Sequence, residues 1–296
     1  MFKPMLAPGE DPLSYPDYFK KLKYPLLCSP KYDGIRCIVK SGRAMSRSFK
    51  MLPSNQVQNE FTDINYLDGE LIEGLPTDFD VYNRTQSYVM SENKTGNLNY
   101  YVFDYTADDY LERPFYQRLE KLEALTLPIS TKFVEHEYID NYEQLIVYEE
   151  KCLSDGFEGI MMRNPLGYYK CGRGTFNEGL IYKLKRFKDA EGIILDILPM
   201  MINNNTLEKD ELGYAKRSTS KDGMTIGNIA GRFVVHFEGQ EIDVAPGSFN
   251  HIERRELLES RNDFIGKHLK FRYFAHGIKD KPRFPRALGL RSLLDL

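Results

Sequence analysis

The sequence predicts an α+β fold in two domains. Short segments rich in apolar, β-branched and aromatic residues are bounded by Gly, Pro or Asp, as strands are. Helical segments sit among them without the regular strand–helix alternation of a doubly wound sheet, and the pattern changes after Lys188. A chain of 296 residues suits one large domain or two of ordinary size.

In chain order, residues 15–24 carry apolar positions at three- and four-residue spacing and predict a helix. Residues 26–29, 35–40, 99–105 and 159–163 predict strands, and 111–125 and 141–153 predict two more helices. A charged stretch, 183–191, closes the first part, set at residues 1–188. In residues 189–296, strand patterns at 193–197, 232–237, 269–274 and 287–290 accompany one helical pattern at 249–261. A small barrel of about five strands with one helix is the OB pattern, common in modules that bind nucleic acid. Between its first strands lies a polar insert, 203–225, bearing Lys216, Arg217 and Lys221. Such excursions inside a compact domain are usually functional or disordered.

Composition sets limits. Hydrophobic residues make up 42% and charged residues 28%, as in soluble globular proteins. No apolar run approaches the roughly 20 residues of a membrane helix, and the first residues lack signal and transit patterns, so an intracellular protein is expected. The four cysteines form no CxxC pair and share no tight spacing with the five histidines. They support neither a zinc site nor a disulfide frame and read as reduced packing residues. Net charge is -3, so any nucleic-acid surface must come from cations clustered on one face. Acids do crowd residues 104–150, while 183–188 and 209–221 are rich in cations.

The most informative segment runs Ser29-Pro30-Lys31-Tyr32-Asp33-Gly34-Ile35-Arg36. A lysine just after a strand, with a Gly turn and an Arg behind it, can attack phosphorus if desolvation or nearby cations keep its amine neutral. Lys31 is then a nucleophile and Arg36 a phosphate or ribose clamp; alone, the segment suits a solvated surface turn equally well. Further segments follow in an order that suits one site. Ser46-Arg47-Ser48-Phe49 places an Arg between hydroxyls, fit for a second phosphate. Asp68-Gly69-Glu70, read as the end of a strand, offers a carboxylate to a ribose hydroxyl. Phe103 can stack on a purine, though a strand aromatic is more often core. Glu158 stands where a strand begins, a hard oxygen ligand suited to magnesium with phosphates. Lys183 and Lys185 alternate with apolar residues and share one strand face. Two converging lysines call for an anion, a triphosphate being the natural one, and they should depress the pKa of Lys31. No Walker or Rossmann glycine run offers a competing nucleotide cradle.

These ordered segments resemble the covalent nucleotidyltransferase superfamily of DNA ligases, RNA ligases and mRNA capping enzymes. Wider similarity, over essentially the whole chain, is to minimal two-domain ATP-dependent DNA ligases of the chlorella virus type. It is carried by Pro4-Met5-Leu6-Ala7, Gly156-Phe157-Glu158-Gly159, Tyr169-Lys170-Cys171-Gly172-Arg173, Phe187-Lys188-Asp189-Ala190-Glu191, Gly213-Tyr214-Ala215-Lys216-Arg217-Ser218-Thr219, Ile265-Gly266-Lys267 and Pro282-Arg283-Phe284-Pro285.

The resemblance implies a nucleotidyltransferase domain of antiparallel sheets flanked by helices, followed by an OB-fold domain. It implies that ATP loads Lys31 with AMP, with Asp33, Lys183 and Lys185 in the catalytic group. Ser29, Arg36, Glu70, Phe103 and Arg173 would serve the nucleotide, and Glu158 both nucleotide and Mg2+. Arg47, with Ser46 and Phe49, would hold a nicked duplex DNA, and 203–225 would form a latch by which a monomer encircles it. Two departures stand out. Arg291 and Asp295 match the family's last motif without its terminal cation, which points to weakness in self-adenylylation. Ser29 stands where many cellular relatives carry Glu against the adenine amino group, which loosens the choice of ATP over GTP. An mRNA guanylyltransferase and a non-catalytic clamp on nicked DNA are the alternative readings.

Overall fold

The computed structural model of the protein describes residues 2–9, 21–274 and 281–291. Most of the helix expected at 15–24, and Asp295, lie outside them. The chain divides into two compact units, Met1–Arg186 and Phe187–Leu296, each α+β or β-rich with antiparallel sheets and few helices.

Unit 1 is built on two sheets. The first has strand order β3-β2-β4-β5-β6, from Arg43–Ser46, Ile35–Lys40, Leu67–Glu73, Leu98–Tyr105 and Thr131–Phe133; only β5 and β6 run parallel. The second has order β7-β1-β8-β9, from Glu137–Ile139, Leu26–Pro30, Ile160–Arg163 and Ile181–Leu184, all antiparallel. Helices α1 (Asn55–Glu60), α2 (Val81–Val89), α3 (Phe115–Glu123) and α4 (Tyr142–Ser154) accompany them.

Side-chain alternation explains which face each sheet buries. Cys37 and Val39 of β2, Leu67 and Leu71 of β4, and Tyr100 and Val102 of β5 form a core with Val57 and Phe61 of the α1 segment. Leu26 and Cys28 of β1, Ile160 and Met162 of β8, and Tyr182 and Leu184 of β9 pack with Leu145, Tyr148 and Cys152 of α4. Cys28, Cys37 and Cys152 are the expected packing residues, but Cys171 is exposed, because its loop runs over the surface before β9.

Three element boundaries differ from the sequence pattern for local reasons. The helix expected at 111–125 begins only at Phe115: Pro114 is its N-cap, with an extended ψ of 147°, and a proline disfavours helical geometry in the residue before it. Asp68-Gly69-Glu70 opens β4 rather than ending a strand, placing its carboxylates beside β2. The short helices α1 and α2 have few apolar positions and escape a periodicity search; Ser54 caps α1 through Val57 N–H.

Unit 2 is a sheet of order β14-β13-β10-β15-β16, from Gln240–Val244, Met224–Phe237, Lys188–Asn203, His268–Phe274 and Arg283–Leu290. Its two outer strands meet: Ala245 N–H donates to Pro285 O at 3.0 Å and Ala287 N–H to Ala245 O at 2.9 Å, so the sheet curls onto itself. Ile194, Ile197, Phe233, Val235, Leu269 and Phe271 fill the inside. Helix α5 (His251–Glu259) starts at Asn250, whose side chain and that of Glu253 form a capping box. The polar insert is ordered as a hairpin, β11 (Leu207–Lys209) against β12 (Ala215–Arg217), at the far end of the long β10–β13 ladder.

Candidate active site

Lys31 follows β1 directly, and its N–H donates to Gly159 O at 2.8 Å. Two glycines make this close approach possible. A Cβ on Gly34 would lie 2.1 Å from Leu71 O, and one on Gly159, at φ +154°, 2.1 Å from Leu184 O. The Gly of the Lys31-Tyr32-Asp33-Gly34 segment is therefore a packing requirement of the β1–β2 turn against β4.

Above this turn opens a cavity of about 270 Å3. Ser29, Lys31, Arg36, Arg47, Glu70, Phe103, Arg173 and Lys183 all line it, together with Val134, His136, Met161 and Arg163. Glu158, 4% exposed, accepts from Lys31 Nζ with one carboxylate oxygen and from Lys185 Nζ with the other. Asp33 is buried close by. The sequence therefore placed these residues in one neighbourhood although they span some 150 positions.

The electrostatics correct one expectation. Burial works to lower the pKa of Lys31, but the Glu158 carboxylate, with Asp33 and Glu70, raises it overall. The converging lysines do not hold Lys31 neutral in this state, because Glu158 stands between them. The two ammonium groups in turn outweigh the effect of burial and hold the Glu158 carboxyl below the usual range. Burial pushes Glu70 up to about 7, with Arg36 and Lys31 pulling the other way.

Arg36 is more constrained than a free clamp. Its Nε and Nη2 each lie 2.6 Å from the two oxygens of Asp68, and Nη2 also donates to Met5 O at 3.1 Å. Its guanidinium sits 4.8 Å from the centroid of Phe103, and that of Arg163 lies 5.3 Å away. Arg173 donates to Ala7 O at 2.8 Å, and the chain around Leu6 bridges to the same segment, so the N-terminal stretch is pinned beside the cavity. Arg47 is exposed at the rim. Ser46 accepts from Lys50 N–H at 3.2 Å, closing a tight turn that carries Phe49 at φ 61°. Phe49 is half-buried, edge-on to Phe2 at 5.8 Å.

The remaining candidates lie in unit 2. Arg291 pairs with Glu191 and is not among the residues lining the cavity. Lys216, Arg217 and Lys221 are exposed on the hairpin and the turn after it; Arg217 donates to Asn205 O, and Lys216 stands across from Glu208.

Sequence reasoning passed over several residues. Asp68 lay in a quoted segment, two positions before Glu70 on the same strand face, yet only Glu70 was assigned chemistry; Tyr169 O–H donates to Asp68 at 2.6 Å. Asp104, fully buried, takes Arg118 in a two-point pair and Arg163 from β8. Nothing local in the sequence marks Arg118, on α3, as a core residue. His136 and Val134 stand in a stretch with no motif.

Comparison with known proteins agrees with this geometry. Residues 4–185 match the family described as the ATP dependent DNA ligase domain. A solved structure of Chlorella virus DNA ligase-adenylate is 30% identical, covering 98% of each chain, with a TM-score of 0.53. The DNA ligase of Sulfolobus acidocaldarius is 30% identical over 157 residues, 51% of this chain and 25% of that protein. The DNA ligase of Enterobacteria phage T4 is 22% identical over 229 residues, 75% of this chain and 42% of that protein. The chain thus spans less than half the length of these two curated relatives. With its family match covering nearly all of the cavity-bearing unit and more than half of the chain, the chain belongs to the ATP-dependent DNA ligase family.

Proposed function

We propose that the protein seals 3′-hydroxyl/5′-phosphate nicks in duplex DNA through a lysyl-AMP intermediate on Lys31. In this reading unit 1 is the adenylyltransferase domain, and unit 2 is an OB-fold domain whose hairpin latches onto DNA. The observation that carries it is Lys31, Glu158 and Lys185 bound together at the foot of a cavity ringed by Arg36, Arg47, Arg173 and Lys183.

The chemistry is three phosphoryl transfers, eased by cations that offset developing negative charge. Lys31 Nζ, once freed from Glu158 and deprotonated, attacks the α-phosphorus of ATP; the N–P bond forms and pyrophosphate leaves. An oxygen of the nick 5′-phosphate then displaces Lys31 and takes AMP. The 3′-hydroxyl attacks the 5′-phosphorus, AMP departs, and the strand is closed. Lys183 and Lys185 would steady the α-phosphate, Arg36 and Glu70 the ribose side, and Arg47 the nick phosphate. Phe103 offers its ring to the base, and Asp33 adds a carboxylate beside Lys31.

Among the described residues no three metal-binding side chains cluster, so an all-protein cage is absent. Magnesium commonly binds through one or two carboxylates plus substrate phosphates, and Glu158, buried beside Lys31, fits that role. The ion would supply charge neutralisation on the phosphates.

The test is covalent labelling. Protein discharged with pyrophosphate is incubated with Mg2+ and α-labelled ATP or GTP, with Lys31→Ala in parallel, and nick sealing is scored on the same samples. Lys31-dependent label from ATP, with sealing, supports the proposal. Label from GTP alone would move the assignment to an mRNA guanylyltransferase, and nick binding without label would leave a non-catalytic clamp.

A further inference from the structure

We infer that His136 sets the nucleotide choice of the cavity by accepting a hydrogen bond from the 6-amino group of adenine; the inference rests on the Lys31-AMP reading above. The position comes from strand register. Cys28 of β1 pairs with Glu137, the first residue of β7, and the chain enters β7 from His136 where β1 continues from Cys28 to Ser29. His136 and Ser29, the residue two places before Lys31, both line the same cavity as Phe103, Val134 and Met161.

The hydrogen bonding of the ring defines what it presents. Nδ1 lies 2.8 Å from Val134 O, and a carbonyl only accepts, so Nδ1 carries a hydrogen. Burial, reinforced by the charge of Arg163, pushes the imidazole pKa down to about 4. The ring is therefore neutral near pH 7, and a neutral imidazole with its hydrogen on Nδ1 has a bare acceptor at Nε2. Among the described residues no hydrogen bond engages Nε2. The ring is held in place edge-on to the buried Phe115, 5.2 Å between centroids.

A fixed acceptor discriminates between purines by their exocyclic groups. Adenine carries an amino donor at position 6, whereas guanine carries a carbonyl oxygen there, which would face the Nε2 lone pair without a proton between them. A site built to meet a donor rejects the analogue that lacks it more strongly than an apolar pocket rejects a change of size. This supplies, from the segment that leads into β7, the adenine recognition that a serine at position 29 leaves incomplete.

The experiment follows adduct formation on Lys31 by intact mass, in pyrophosphate-discharged protein, with ATP and with purine riboside triphosphate, which has hydrogen in place of the amino group. Wild-type protein should use ATP about tenfold more efficiently, the effect of one hydrogen bond. In His136→Ala that ratio should fall to about one, through loss of ATP efficiency while the analogue reacts as before; the unchanged analogue rate also reports an intact fold. His136→Gln, whose amide oxygen accepts, should recover part of the preference. Equal use of both nucleotides by wild-type protein, or an unchanged ratio in His136→Ala, overturns the inference and leaves the ligase reading standing. No adduct from either nucleotide in wild-type protein overturns both.

Discussion

Glu70 shows how one side chain ties the site to solution conditions. Burial raises its pKa to about 7, more than Arg36 and Lys31 lower it, so the folded chain holds the Glu70 proton more tightly than the unfolded chain does. That preference stabilises the fold below the ordinary carboxylate range and is lost as pH rises from about 4.5 through about 7. In Glu70→Gln, which cannot ionise, the thermal midpoint should fall less over this window than in the wild-type protein. Parallel thermal melts at several pH values check it; identical pH profiles would mean that Glu70 keeps an ordinary pKa. Residue identity was the level at which the sequence spoke most clearly. Lys31, Arg36, Glu70, Phe103, Arg173 and Lys183 share one cavity because each stands in a short segment whose chemistry is local. The protonation of Lys31 was not legible, because it depends on which group stands between two lysines, and that is a matter of three-dimensional packing.

At the scale of elements, the buried Asp104 is a junction. It lies on β5, takes Arg118 from α3 and Arg163 from β8, and so links the two sheets of unit 1 through one carboxylate. The pull of the two guanidinium groups exceeds the burial effect and holds its pKa below the usual range. Asp104→Asn removes the shared anion and leaves two buried cations facing each other. It should cost about 3–5 kcal/mol, read as a lower urea midpoint for unit 1. A loss within about 0.5 kcal/mol, typical of surface changes, would show that the junction carries no weight. Short apolar, β-branched or aromatic runs bounded by Gly, Pro or Asp made β1, β2 and β5 legible in the sequence. The span of β10 and β13 was not: at 16 and 14 residues they run on past their buried cores to a stretch where Met201, Ile202 and Ile226 are exposed and backbone pairing rather than burial holds the strands.

For the whole molecule, a net charge of -3 means that the DNA binding proposed above must rest on local clusters of cations. Lys216, Arg217 and Lys221 form such a cluster on the exposed hairpin and the turn after it. Replacing all three with glutamine should weaken binding to nicked DNA and reduce the slope of log affinity against log salt by about two to three, while Lys31 labelling from ATP stays unchanged. Binding titrations at several salt concentrations measure the slope; an unchanged one would remove the hairpin from the DNA surface. Two-part organisation and a small barrel in the second part were readable from the pattern beyond residue 188, whereas the residues that bring the barrel's outer strands together were not, since Ala245 meets Pro285 and Ala287 across forty positions of chain.

The two-stranded hairpin has a further consequence. With only β11 and β12 in its sheet, each strand keeps one backbone edge open, and such edges invite pairing with the same segment of another molecule. Glu208, Lys209, Lys216 and Arg217 fill most of the six positions in these strands with charge. Mutual repulsion between copies brought edge to edge would keep the protein dispersed at high concentration, so the cations that suit a polyanion also guard against self-association when none is bound.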